Sequence, residues 1–88
     1  MQRRRVVVHG DVQGVFFRDG CRRAARAAGV RGWVRNCDDG SVEAVFEGDS
    51  TAVESLCDWC REGPPHARVD EVVITAERPR GERGFEVR

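Results

Sequence analysis

The 88-residue sequence has no lysine and no tyrosine, and it holds leucine and isoleucine only once each. All 15 basic residues are therefore arginine, which excludes a lysine amine as Schiff-base partner or general base. Long hydrophobic runs are missing: nothing approaches the roughly 20 apolar residues a helix needs to cross a bilayer. Net charge is missing too, because 15 acidic residues balance the arginines. No overall field draws the chain to nucleic acid or acidic lipid. Only three valines lie between the opening Met1-Gln2-Arg3-Arg4-Arg5 and His9, short of the roughly 7–15 apolar residues of a secretory signal. The expectation is a cytoplasmic monomer that binds neither nucleic acid nor membrane.

Hydrophobic residues make up 40% of the chain, enough for one compact core. Residues 1–88 are expected to form a single domain, since two cores of half that size would each be marginal. Valine dominates the apolar set, which favours strands. Cys21, Cys37, Cys57 and Cys60 would suggest a disulfide framework in a secreted protein. Without a secretory signal they read as reduced thiols that pack like small apolar side chains.

Periodicity places the elements. Arg4–His9 reads as a first strand, buried on both faces because Val6, Val7 and Val8 are consecutive. Gly10 to Arg18 forms a loop. Cys21, Ala24, Ala25 and Ala28 then recur on one face of a helix over Asp19–Ala28, with Gly29 as its left-handed stop. Strands over Arg31–Asn36 and Ser41–Glu47 flank Cys37-Asp38-Asp39-Gly40, where Asp-Gly suits a tight hairpin. Thr51 with Glu54 fits a capping box. Val53, Leu56, Cys57 and Cys60 mark a second helical face that ends before Gly63-Pro64-Pro65. Val69–Glu77 alternates as a fourth strand, Arg78–Gly84 is a polar turn, and Phe85–Val87 forms a short fifth strand. The order βαββαβ with right-handed crossovers gives an α+β, ferredoxin-like sandwich. It has one mostly antiparallel sheet, two helices on one face and a short extra strand. That topology hosts many activities and names none.

Two segments carry chemistry. In Gly10-Asp11-Val12-Gln13-Gly14-Val15-Phe16-Phe17-Arg18, two glycines allow a sharp turn with open amides. The helix beginning near Asp19 adds the positive end of its dipole. Such a segment either cradles a phosphate-sized anion, with Arg18 gripping two oxygens, or is an ordinary turn with a solvated arginine. In Gly32-Trp33-Val34-Arg35-Asn36-Cys37-Asp38-Asp39-Gly40, Asn36 taken alone reads as a turn residue at the mouth of a hairpin.

Together these segments resemble the acylphosphatase family, and the resemblance runs from Val6 to Val87. Gly10, Val12, Gln13, Gly14, Val15, Phe17 and Arg18 match its first signature. Gly32 to Asn36, Asp39, Gly40 and Val42 match its second, and Glu47-Gly48, Gly63-Pro64, Ala67, Val69 and Phe85 follow its later pattern. The resemblance implies a hydrolase acting on acid anhydrides, which splits the carboxyl–phosphate bond of small acyl phosphates with no metal and no cofactor. It implies Arg18 as the phosphate-binding arginine and Asn36 as the residue that orients the attacking water. The amides of Gln13, Gly14, Val15, Phe16, Phe17 and Arg18 are implied as the phosphate cradle. Asp11 stands where the family is often basic, which weakens the anion site if its carboxylate faces the cradle. Cys37 stands where threonine is common, which deprives the loop of any hydroxyl support.

Other readings compete. Cys57-x-x-Cys60 lies in the last turns of its helix, where the dipole disfavours thiolate, and on the apolar face. It reads as core packing rather than as a redox or metal pair. His9 and His66 form no ligand motif. The topology and Arg3–Arg5 suggest a nucleic-acid-binding sandwich, but Ser41–Glu47 lacks the basic and paired aromatic residues that stack bases. The arginine run reads instead as a solvated strand end. A phosphate-binding module without turnover would share every feature of the cradle.

Overall fold

The valine-rich segments pair into one five-stranded sheet in the computed structural model, which describes residues 1–88. The strands are β1 (Gln2–Asp11), β2 (Arg31–Asn36), β3 (Val42–Gly48), β4 (Arg68–Glu77) and β5 (Phe85–Val87), and the helices are α1 (Phe17–Ala27) and α2 (Ser50–Glu62). Strand order is β4-β1-β3-β2-β5, antiparallel throughout except for the parallel β2–β5 pair. This is the ferredoxin-like βαββαβ sandwich with a fifth strand added beside β2.

Both helices cover one face of the sheet. Val6, Val8, Val34, Ala44 and Phe46 meet Phe17, Cys21 and Ala25 of α1 and Val53, Leu56 and Cys60 of α2 in one continuous core. Small side chains let the helices sit close to the sheet, and aromatic pairs fill the wider gaps. Phe46 stacks on Phe85 at 6.0 Å, and Phe17 meets Trp59 edge-on at 5.2 Å.

Several local expectations need correction. β1 is buried on one face only: Val6 and Val8 are fully covered, whereas Val7 points to the other side and is half-buried. Three consecutive valines cannot reveal that both helices lie on the same side. α1 begins two residues earlier than Asp19, because the buried Phe17 ring joins Cys21 and Ala25 on its inner face. Asp49, not Thr51, caps α2, its carboxylate accepting from the Thr51 and Ala52 amides at 3.2 and 3.4 Å. Thr51 therefore lies inside the helix and the Thr51–Glu54 box is not formed.

The largest departure is on the face away from the helices. Arg3 is 2% exposed and Glu47 is fully buried, so the arginine run is not solvated throughout: Arg3 is buried, whereas Arg5 is exposed. Arg3 donates to Glu77 at 2.9 Å, to Glu47 at 3.0 Å and to Glu82 at 2.8 Å. The Glu47 carboxylate also accepts from the amides of Arg80, Gly81 and Glu82 at 2.8–2.9 Å. Burial alone would raise the Glu47 pKa, but those amides and Arg3 outweigh it and hold the group at about 2. The polar segment 78–84 is thus a strap pinned across the sheet rather than a free turn. Beside it, Arg5 and Arg35 both pair with the buried Glu43.

Candidate active site

The cradle segment connects the end of β1 to the start of α1. Gly14 takes φ 77°, a left-handed conformation open to glycine at no steric cost. Phe16 takes φ 64° and ψ 28° and serves as the N-cap of α1 without any side-chain cap bond. The result is a run of main-chain N–H groups facing no protein acceptor. None of the amides from Gln13 to Arg18 donates a hydrogen bond within the protein. The first amide of this region to do so is that of Gly20, which donates to the Phe16 carbonyl at 3.0 Å. Open amides at a helix N-terminus form an electropositive concavity.

A cleft of about 360 Å³ opens above these amides, lined by Gly14, Phe16, Phe17, Arg18 and Asn36 among others. Arg18 and Asn36, 18 residues apart in sequence, therefore share one cavity. The Arg18 guanidinium makes one hydrogen bond to the protein, a 3.3 Å contact to the exposed Arg88 carbonyl, which leaves its other donors for a ligand. Of the remaining cradle residues, Val15 packs against the core. The Gln13 side chain is used elsewhere: its Nε2 donates to the carbonyls of Cys37 at 2.7 Å and Ser41 at 2.9 Å. That brace ties the cradle to the β2–β3 hairpin that carries Asn36. Sequence reasoning assigned Gln13 only its amide and missed the brace.

Three further residues line the cleft without having been singled out: Asp19, Arg22 and Val87. Asp19 would repel an anion, but Arg22 and Arg23 both pair with its carboxylate. Helical spacing could have revealed those i+3 and i+4 pairs. Asp11 is exposed and does not line the cleft, so its carboxylate is screened by water. Cys37 supports the hairpin through its main chain, its N–H donating to the Ser41 carbonyl at 2.8 Å. No group of three or more His, Cys, Asp and Glu side chains converges anywhere in the fold. Cys57 and Cys60 face the core. Burial and the neighbouring Cys60 push the Cys57 thiol up to about 11, and a hydrogen bond with Cys21 together with burial raises Cys60 as well. These are packed, protonated thiols.

Fold and cleft define a ferredoxin-like protein with a cradle of open amides at a strand–helix junction. Comparison with known proteins narrows the class. The acylphosphatase family profile matches residues 4–87. An acylphosphatase of Rubrobacter xylanophilus is 60% identical over 88 residues, covering 99% of this chain and 80% of that protein. One of Haloquadratum walsbyi is 56% identical, covering 98% and 92% of the two chains. The crystal structure of acylphosphatase from Bacillus subtilis superposes with a TM-score of 0.95 at 35% identity, covering 99% and 98%. The chain belongs to the acylphosphatase family, and its activity is hydrolysis of an acid anhydride, the carboxyl–phosphate bond of an acyl phosphate.

Proposed function

We propose that the phosphoryl group of a small acyl phosphate sits on the amides of Gln13 to Arg18, gripped by the Arg18 guanidinium, while Asn36 orients a water for in-line attack. The observation that carries this reading is the run of open amides in the same cleft as Arg18 and Asn36. An acyl phosphate already has a good leaving group in its carboxylate, so neither a covalent nucleophile nor a strong base is required. The protein's task is to position the phosphoryl group and stabilise the charge on its equatorial oxygens. Arg18 and the amides do this as preorganised donors, each worth on the order of 3 kcal/mol in such sites. Asn36 is neutral and directs the water without adding negative charge beside a dianion. A phosphate oxygen of the substrate accepts the water's proton, because the one carboxylate lining the cleft, Asp19, is held by two arginines.

All of these groups come from one chain, which supports a monomer as the working unit. Four free thiols are in keeping with a cytoplasmic protein. A small-molecule substrate is the partner in this reading, with no role for nucleic acid.

Phosphate release from an acyl phosphate, measured alongside inhibition by inorganic phosphate, tests the division of labour. Arg18→Ala should lower kcat/KM by a hundredfold or more, on the order of one lost oxyanion donor, and abolish phosphate inhibition. Asn36→Ala should lower kcat to a similar extent and leave phosphate inhibition within about twofold. An Asn36→Ala enzyme that loses phosphate binding but keeps kcat would overturn the water-orienting role. A wild-type protein that binds phosphate and releases none from acyl phosphates would be a binding module.

A further inference from the structure

We propose that the acyl part of the substrate lies in a second groove, across Phe16 from the phosphate cleft, and that Phe16 selects for aromatic or branched apolar acyl groups. This assignment rests on the acyl phosphate chemistry proposed above. Phe16 is unfavourable in the free protein on two independent counts. It is the one non-glycine residue with positive φ, at 64°, a conformation that strains a bulky L-residue and that glycine would adopt freely. The residue is 79% exposed, so core packing returns almost nothing for that strain. Both features have a use if a ligand covers the ring.

The neighbouring groove identifies the ligand. Phe16 and Asp19 line the phosphate cleft and also a second cavity of about 520 Å³, whose other walls include Gly20, Trp59, Pro64 and Pro65. Phe16 and Asp19 therefore form a wall that the two cavities share. Asn36 lines the first and not the second. In-line displacement expels the leaving group on the side opposite the attacking water. With water held at Asn36, the carboxylate departs away from Asn36, over Phe16 and into the groove.

Phe16, Ala24, Trp59, Pro64 and Pro65 give the groove apolar walls, with the charged Asp19 and Arg23 also lining it. Gly20 lets the Trp59 ring lie against α1, since a methyl there would come within 2.9 Å of Cζ2. Phe17 fixes the same ring from beneath by its edge-on contact. Asp19, on the shared wall, is paired with Arg22 and Arg23 and so offers no net repulsion to a departing carboxylate.

The discriminating measurement is the ratio of kcat/KM for benzoyl phosphate to that for acetyl phosphate. This ratio cancels any damage to the shared phosphate cradle. Wild type should favour the benzoyl substrate. Phe16→Gly, whose backbone is relaxed at φ 64°, should lower the ratio about tenfold, the effect of losing a modest apolar contact. Phe16→Leu should keep most of the preference, because apolar bulk is retained. Pro65→Glu, at the far side of the groove and outside the cradle, should lower the ratio through an unfavourable charge. An unchanged ratio in Phe16→Gly and Pro65→Glu would overturn the acyl groove while leaving the phosphate reading intact. A wild type inactive on both substrates would overturn the phosphate reading, and the groove with it.

Discussion

Gln13 shows how one side chain can join two distant parts of a site. Its two N–H groups reach carbonyls 24 and 28 residues away, and the hairpin they brace carries Asn36. It is a positioning residue, acting through the asparagine. Gln13→Ala should lower kcat about tenfold, on the scale of lost orientation, while inorganic phosphate still inhibits. Gln13→Glu fills the same space but has no N–H donors, so it should be as impaired as the alanine variant. Steady-state kinetics separate donation from simple packing, since a glutamate enzyme at wild-type kcat would refute the brace. The family signature marks Gln13 from the sequence alone, but a glutamine looks the same in sequence whether it binds substrate or holds two carbonyls.

β3 and the strap of residues 78–84 illustrate what an element's pattern can and cannot say. The alternation of Val42, Ala44 and Phe46 with Glu43, Val45 and Glu47 identifies a strand and its core face. It also implies that the glutamates meet water, and they do not. Glu43 and Glu47 are both 3% exposed or less, one beneath paired arginines and the other inside a ring of amides and Arg3. The Glu47 pKa of about 2 lies below its ordinary 4.5. Its stabilisation is therefore fully present above roughly pH 4.5 and is lost as pH falls toward 2. At neutral pH, Glu47→Gln should be less stable than wild type by about 3 kcal/mol, the scale of breaking a buried pair. The gap between their melting temperatures should close as pH drops from about 4.5 to 2. A gap that stays constant with pH would show that the strap does not depend on the charge of Glu47.

Across the whole molecule, ligand and fold should stabilise each other. Inorganic phosphate at a hundredfold excess over its Kd should add about 2.7 kcal/mol to wild-type stability, seen as a rise in melting temperature. Arg18→Ala should show no such rise, and an equal rise in that variant would place the bound phosphate elsewhere. Element order was legible in the linear chain, because turn glycines, helical spacing and strand alternation act over a few neighbouring residues. The cradle segment and Asn36 stood out only through their resemblance to the family's signatures. Which charges are buried was not legible, nor was the pair of cavities that share Phe16 as a wall. Those features arise between segments as far apart as Arg3 and Glu82, 79 residues from each other, and such contacts exist only once the sheet has closed.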